Sequence, residues 1–272
     1  MNEGTLDGRT LRREQAIDEA FTQAGCAVAF HAVDLQTGAE IGVNPDRPVV
    51  LASVFKLFIA LEFYAQVANG ELDASERLEL DPAHLTSGPT GLSVFQDPVT
   101  ISLRDLCHQM MSVSDNGATD ILLAKVGRDR VNERLNACGC SSTVVECGLG
   151  SMFDEMAVEI GFANYAHLAA ARAGELGHEA LLRSNDPSLV DATRAFDPTR
   201  TNRSTPRDMT RLLGSVWRNE AASPESCAQL RHVMGQQISS RLGRWLPDGA
   251  TVASKTGSLT GRVRNEAGVT CP

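Results

Sequence analysis

The sequence predicts an α+β fold, an antiparallel sheet built from both chain ends and flanked by helices, with an all-helical middle subdomain. Three observations predict it: strand patterns at 26–43 and 251–270, a long run of helical periodicity between them, and helix-start devices repeated through that run. The 272 residues suit one domain, with 1–50 and 245–272 as its α/β part and 51–244 as its helical part.

Leu11, Ile17, Ala20, Phe21 and Ala24 recur at near-helical spacing before Gly25, which predicts an amphipathic helix over 9–24. Residues 26–34 alternate and are rich in small and β-branched side chains. Gln36-Thr37-Gly38 supplies a turn and 39–43 the returning strand of a hairpin. From Ser53 to Asn69 the chain is apolar almost all round and ends at Gly70, the pattern of a buried central helix. Ser102 with Asp105 opens a helix at 103–113, and Leu122, Leu123 and Val126 lie on the next. Ser151 with Asp154 opens a helical stretch running toward Leu182, with small residues and glycines inside it. Residues 184–204 gather the loop formers Asn185-Asp186-Pro187, Asp197-Pro198 and Asn202. Thr205-Pro206-Arg207-Asp208 starts a helix to about 220, and Ser223-Pro224 repeats the device. A strand at 251–259, a turn at Thr260-Gly261 and a strand at 262–270 close the chain.

Composition narrows the function. With 42% hydrophobic and 22% charged residues the chain is an ordinary globular one, and no stretch nears the roughly 20 apolar residues of a membrane span. The net charge of −9, with scattered basic residues, argues against nucleic acid. The start, Met1-Asn2-Glu3-Gly4-Thr5-Leu6-Asp7, has neither the basic beginning nor the apolar core of an export signal. The chain as written is therefore expected in the cytoplasm, and exported if its true N-terminus lies upstream. Seven cysteines, an odd number in apolar surroundings, suit a reducing compartment better than a disulfide framework. Cys138 and Cys140 are the one close pair, a structural rather than a zinc-binding spacing; no metal or cofactor is expected.

Three motifs carry chemistry: Ser53-Val54-Phe55-Lys56, Ser114-Asp115-Asn116 and Lys255-Thr256-Gly257. Each alone is weak, and their occurrence together in this order is the strong signal. The bland alternative makes Ser53 and Asn116 helix caps, Lys56 a solvated charge and Thr256 a strand residue. A serine in the first turn of a buried helix sits at the positive end of the helix dipole, which favours its alkoxide. Lys56, three residues on, shares that face, where burial disfavours its charge and makes it available as a base. Ser114 can relay a proton, and Lys255 can polarise that hydroxyl and attract an anion. A glycine at 257 lets the strand approach the acyl group, and the amide N–H groups of Ser53 and Ser258 can form an oxyanion hole.

These motifs resemble those of the class A β-lactamases and, more distantly, the penicillin-binding proteins, from about residue 10 to the end. The resemblance implies a β-lactamase/transpeptidase-like fold and a small-molecule β-lactam or related acyl substrate. It implies Ser53 as acylated nucleophile, Lys56 as its proton acceptor, Ser114 as proton shuttle, and Asn116 as the amide that holds the substrate side chain. Lys255, Thr256, Gly257 and Ser258 would form the strand that docks the carboxylate and acyl amide. Arg241, fourteen residues before Lys255, stands where some members keep an arginine that supports carboxylate binding, or is a surface charge. Two departures stand out. The family's Glu-x-x-Leu-Asn, whose glutamate activates the deacylating water, has no counterpart; Glu146, Glu155 and Glu159 occupy the right region as candidate replacements or as solvated acids. Family members also add a strand and a closing helix after the position of Pro272. The expected activity is β-lactam hydrolysis through an acyl-enzyme. A related acyltransferase or esterase of specialised metabolism and a non-hydrolytic penicillin-binding module are the alternatives.

Overall fold

The computed structural model describes residues 8–259 and 262–271. Helix α1 (Gly8–Gln23) is ended by Gly25 at φ +69°, where the Cys26 N–H returns to the Phe21 carbonyl at 2.9 Å. Strands β1 (Phe30–Val33) and β2 (Glu40–Val43) form the first hairpin, its turn closed by the Asp34 carboxylate accepting from the Gln36 and Thr37 amides. The ladder starts at Phe30 opposite Val43, so 26–29 have no partner on β2 and the strand is shorter than its alternating pattern.

Strand β3 (Val49–Val50) leads into a 3₁₀ turn, Ala52–Phe55, and then α2 (Lys56–Ala68). Helix α2 is buried on nearly every side, and Phe58 and Phe63 each contribute about 2 kcal/mol by leaving water. Its one buried acid, Glu62, is met by Arg134 and by Gln66 Nε2 at 2.7 Å. The helix-rich middle also holds short ladders. Strands β4 (Arg77–Leu80) and β5 (Val99–Ser102) pair antiparallel, their alternating Arg-Leu-Glu-Leu and Val-Thr-Ile-Ser now readable as strands.

Ser102 caps α3 (Leu103–Ser112) by accepting from the Asp105 amide at 3.1 Å, as its spacing predicts. Helices α4 (Asn116–Val126) and α5 (Arg128–Ala137) follow. The stretch expected over 151–182 is three helices: α6 (Leu149–Glu159), α7 (Tyr165–Arg172) and α8 (His178–Ser184). Gly161, Gly174 and Gly177 divide it at φ +90°, +81° and +89°, angles no helix interior contains. Ser151 lies inside α6 and caps nothing. The α6 N-terminus is capped from a distance by Asp120 of α4, whose carboxylate accepts from the Leu149 amide at 2.7 Å and the Gly150 amide at 2.8 Å.

Asp186-Pro187 begins a short helix, α9 (Pro187–Asp191), within the expected loop region. Strand β6 (Arg203–Ser204) pairs with β3, and α10 (Pro206–Trp217) and α11 (Pro224–Met234) start at the predicted caps, Thr205 and Ser223. Strands β7 (Thr251–Leu259) and β8 (Val263–Cys271) form the closing hairpin with Lys255 opposite Ala267; the turn expected at Thr260-Gly261 lies outside the described residues. Antiparallel strands thus stand at both chain ends around a helix-rich middle, and each end supplies its own hairpin, with no ladder between the two among the described residues. No described helix is long and apolar enough to cross a membrane.

Capping of α6 by Asp120 rather than Ser151 has a measurable consequence. Asp120→Ala, which also loses Thr86 Oγ1 at 2.6 Å, should cost about 2 kcal/mol of unfolding free energy in urea titration, and Ser151→Ala under about 0.5. The reverse order would show that α6 is held locally.

Candidate active site

Ser53 sits in the 3₁₀ turn one step before α2, not in the α-helix itself. The residue before it, Ala52, has φ +48°, a left-handed conformation that costs a non-glycine residue about 1 kcal/mol. Clamps on both sides hold it there. The Leu51 amide donates to the Asn202 carbonyl at 3.0 Å, and Asn265 Nδ2 of β8 donates to the Val50 carbonyl at 2.6 Å. Strand β7 passes so close that a Cβ on Gly257 would lie 2.8 Å from the Leu51 carbonyl oxygen and 3.0 Å from the Ser53 amide nitrogen. Only glycine lets the two segments meet.

Three lysines occur in the chain, and two of them, Lys56 and Lys255, have no solvent exposure. Ser114, itself at φ +65°, stands between them: Lys56 Nζ and Lys255 Nζ each donate to its Oγ at 3.1 Å. Lys56 Nζ also donates to the Ser114 carbonyl at 2.6 Å and to Asn116 Oδ1 at 2.9 Å, and Lys255 Nζ to the Thr256 carbonyl at 3.0 Å. Burial first, and then the positive charge of Lys255, hold Lys56 well below the ordinary lysine range, against the opposing pull of Asp115 and Asp120. Burial pushes Lys255 down to about 7, with Glu266 opposing. Two buried amines around one hydroxyl cannot both carry charge cheaply, so the arrangement supplies a neutral amine, a base, near neutral pH.

The second motif does more than its sequence suggests. Asp115, fully buried, caps α4 at the Ala118 amide and accepts from the Leu92 amide at 2.7 Å. Asn116 Nδ2 donates to the Ser87 carbonyl at 2.9 Å, so its amide, expected to hold substrate, also holds the 85–95 loop. That loop fits only through glycines: a Cβ on Gly88 would lie 2.9 Å from Asn116 Nδ2, and one on Gly91 2.4 Å from the Asp115 carboxyl. On β7 the Thr256 amide points away from β8 and donates to Gln237 Oε1 at 3.2 Å. Strand alternation then turns the Ser258 amide to the same free edge, on the side of the Ser53 turn. Arg241 lies against β8, Nη2 donating to the Asn265 carbonyl at 3.0 Å and Nε 3.5 Å from the Glu266 carboxylate. The structure thus gathers Ser53, Lys56, Ser114, Asn116, Lys255, Thr256, Gly257 and Ser258 around one turn, while Arg241 is held on Asn265 and Glu266 of β8.

A family model described as the β-lactamase enzyme family matches residues 12–271. The chain belongs to the β-lactamase enzyme family. Among curated proteins it is 31% identical to the β-lactamase regulatory protein BlaB of Streptomyces cacaoi, over 97% of this chain and 85% of that one. Among solved structures it is similar to the β-lactamase of Sphaerobacter thermophilus DSM 20745, at 26% identity and a TM-score of 0.72, covering 98% of this chain and 84% of the other. PBP-A, at 22% identity and a TM-score of 0.71 over 96% and 82% of the two chains, shares the fold.

The three glutamates read from the sequence as candidate replacements for the one of class A β-lactamases are all engaged with arginines. Glu146 pairs with Arg203 at 2.6 Å, Glu155 with Arg194 at 2.6 Å and Glu159 with Arg200 at 3.5 Å. These pairs fasten the loop before α6, and α6 itself, to the 194–203 segment. Sequence reading missed Asp115 as a buried clamp, Gln237 and Glu266. Asp115 carried a signal, since it lies inside a motif and in N-cap position, whereas Gln237 and Glu266 acquire their roles only through the β7–β8 register.

The low value at Lys255 is testable by NMR of lysine ¹³Cε, which should show Lys255 titrating near 7, assigned by its loss in Lys255→Met. Stability carries the same sign. The folded chain releases this proton at about 7 while the unfolded chain keeps it to about 10.5, so unfolding free energy rises with pH across that window. Lys255→Met should flatten the rise. A Lys255 resonance titrating above about 9 would contradict the burial argument.

Proposed function

We propose that this β-lactamase-family chain is a serine hydrolase that opens β-lactam rings through an acyl-enzyme on Ser53 and releases the product slowly. One observation carries the reading: the Ser114 hydroxyl held at 3.1 Å by each of two buried lysine amines, beside the strained turn that presents Ser53.

In this mechanism neutral Lys56 takes the Ser53 proton as Oγ bonds to the lactam carbonyl carbon, and the carbonyl oxygen becomes an oxyanion facing the Ser53 and Ser258 amides. The carbon–nitrogen bond then breaks. The ring nitrogen takes a proton from Ser114 Oγ, which is reprotonated from the lysines, so the acyl-enzyme carries the whole substrate mass. Deacylation needs a water deprotonated near the ester, and it returns a proton to Ser53 as the ring-opened acid leaves. The glutamates nearest in sequence to the family's deacylating residue are bound to arginines, which makes this second half the slow one. The same observation favours one further reading, a penicillin sensor whose acyl-enzyme persists; the Streptomyces relative bears the name of a regulatory protein.

A chromogenic cephalosporin should give a burst about equal to the enzyme concentration and then a slow steady phase. Ser53→Ala should abolish both phases by more than about a thousandfold, and Lys56→Ala should slow the burst comparably. Glu146→Gln, Glu155→Gln and Glu159→Gln should each leave the steady phase within about threefold. Fast turnover without a burst would refute slow deacylation, and a tenfold loss in one glutamine variant would identify that glutamate as the base.

A further inference from the structure

Away from the Ser53 turn, a cleft of about 430 Å³ opens between the ends of α10 and α11 and the open end of the β7–β8 hairpin. Its floor is apolar. Trp217, the last residue of α10, and Ala253 and Val269, which stand opposite each other in the hairpin register, are half-buried against the core. Its rim is polar, formed by Arg231 and His232 from the last turn of α11 and by Gln236 just after it. An apolar lining with a few polar groups, at this volume, is the form of a small-molecule site. The cleft lies at the far end of β7 from the chemistry: Ala253 stands about 17 Å along the strand from Ser258, at roughly 3.3 Å per residue.

The rim sets the charge of the ligand. Arg231 Nη1 donates to the Val216 carbonyl at 2.6 Å and to Asn219 Oδ1 at 2.9 Å, so two neutral acceptors hold the guanidinium and leave Nε and Nη2 without a partner among the described residues. No acid lines the cleft, in a chain whose net charge is −9. Gln236 Nε2 lies 3.0 Å from His232 Nε2; an amide nitrogen only donates, so the ring accepts there and keeps its proton on Nδ1 as a further donor. Basic residues in the last turn of α11 also offset the helix dipole, a role that fully solvated side chains would fill as well. Arg231 is instead half-buried, in a cleft floored by an indole, where its charge is less screened and a flat apolar group has a surface to pack on. We infer that this cleft is a second binding site, separate from the Ser53 turn, for a small carboxylate that carries an aromatic or branched apolar group.

The test uses 3-phenylpropionate, its uncharged amide and 3-phenylpropylamine, titrated by calorimetry on the unaltered chain and by tryptophan emission on Trp245→Phe. The chain has two tryptophans and Trp245 is 93% exposed, so that variant leaves Trp217 as the sole reporter. The carboxylate should bind with a Kd of about 1 mM or tighter, at least about tenfold tighter than the amide or the amine, and should change Trp217 emission with the same Kd. Arg231→Met, which keeps the length and removes the charge, should bring the carboxylate within about threefold of the amide. Should Arg231→Met fail to fold, His232→Ala, at an exposed position, should weaken the carboxylate at least about threefold. Equal affinity for the three compounds, a carboxylate Kd weaker than about 1 mM, or heat of binding without a change in Trp217 emission would overturn the inference. So would an undiminished preference for the carboxylate in a folded Arg231→Met. None of these measurements reads acylation of Ser53, so they decide the cleft independently of the proposed hydrolysis.

Discussion

The structure depends on a single hydroxyl, that of Ser114, being shared by two lysine amines that have been taken wholly out of water. Burying one ammonium is costly, and burying two that face one another costs more, so the fold must supply acceptors and still leaves the pair short of full charge. It supplies main-chain carbonyls at Ser114, Asp115 and Thr256 and the side-chain oxygen of Asn116. Those acceptors come from a helix start and a strand that meet nowhere in sequence. The apolar shell of α2 and the antiparallel β7–β8 hairpin keep them in register.

Strain marks the same place. Ala52 and Ser114 are two of the four non-glycine residues with positive φ among the described residues, the first next to Ser53 and the second held between the two buried lysines. Each is held by neighbours from another element: Asn202 and Asn265 over the Ser53 turn, and Gln109, whose carbonyl accepts from the Asp115 amide at 3.2 Å, beneath Ser114. The clamps reach outward through Asp115, Asn116 and Asp120, which grip the 85–95 loop and α6 with buried or half-buried side chains. The walls of the site are thereby fastened to the same helix that carries Asn116.

Much of this was legible in the chain. Helix starts written in local chemistry, such as Ser102 with Asp105 or Thr205-Pro206, lie where the residues place them, because a cap is a contact between near neighbours. The three motifs come together because their side chains need one another, which is why so short a pattern carries information. What escaped was long-range. Asp120 caps α6 from 29 residues away, the glycines that break 151–182 read as helix-tolerated small residues, and the 3₁₀ turn at Ser53 packs against β7 at Gly257, a contact that no local pattern announces. The pairing of Glu266 with Arg241 required the β7–β8 register, which no local pattern of charges reveals.

The central claim is that the lysine-flanked hydroxyl serves a nucleophile at Ser53, and intact-mass spectrometry with peptide mapping after brief exposure to benzylpenicillin tests it most directly. The account predicts one adduct with the full mass of the penicillin, because ring opening expels nothing, located on the peptide that contains Ser53. An unmodified protein under conditions where the antibiotic is consumed, or an adduct on Lys56 or Lys255 in place of Ser53, would contradict it.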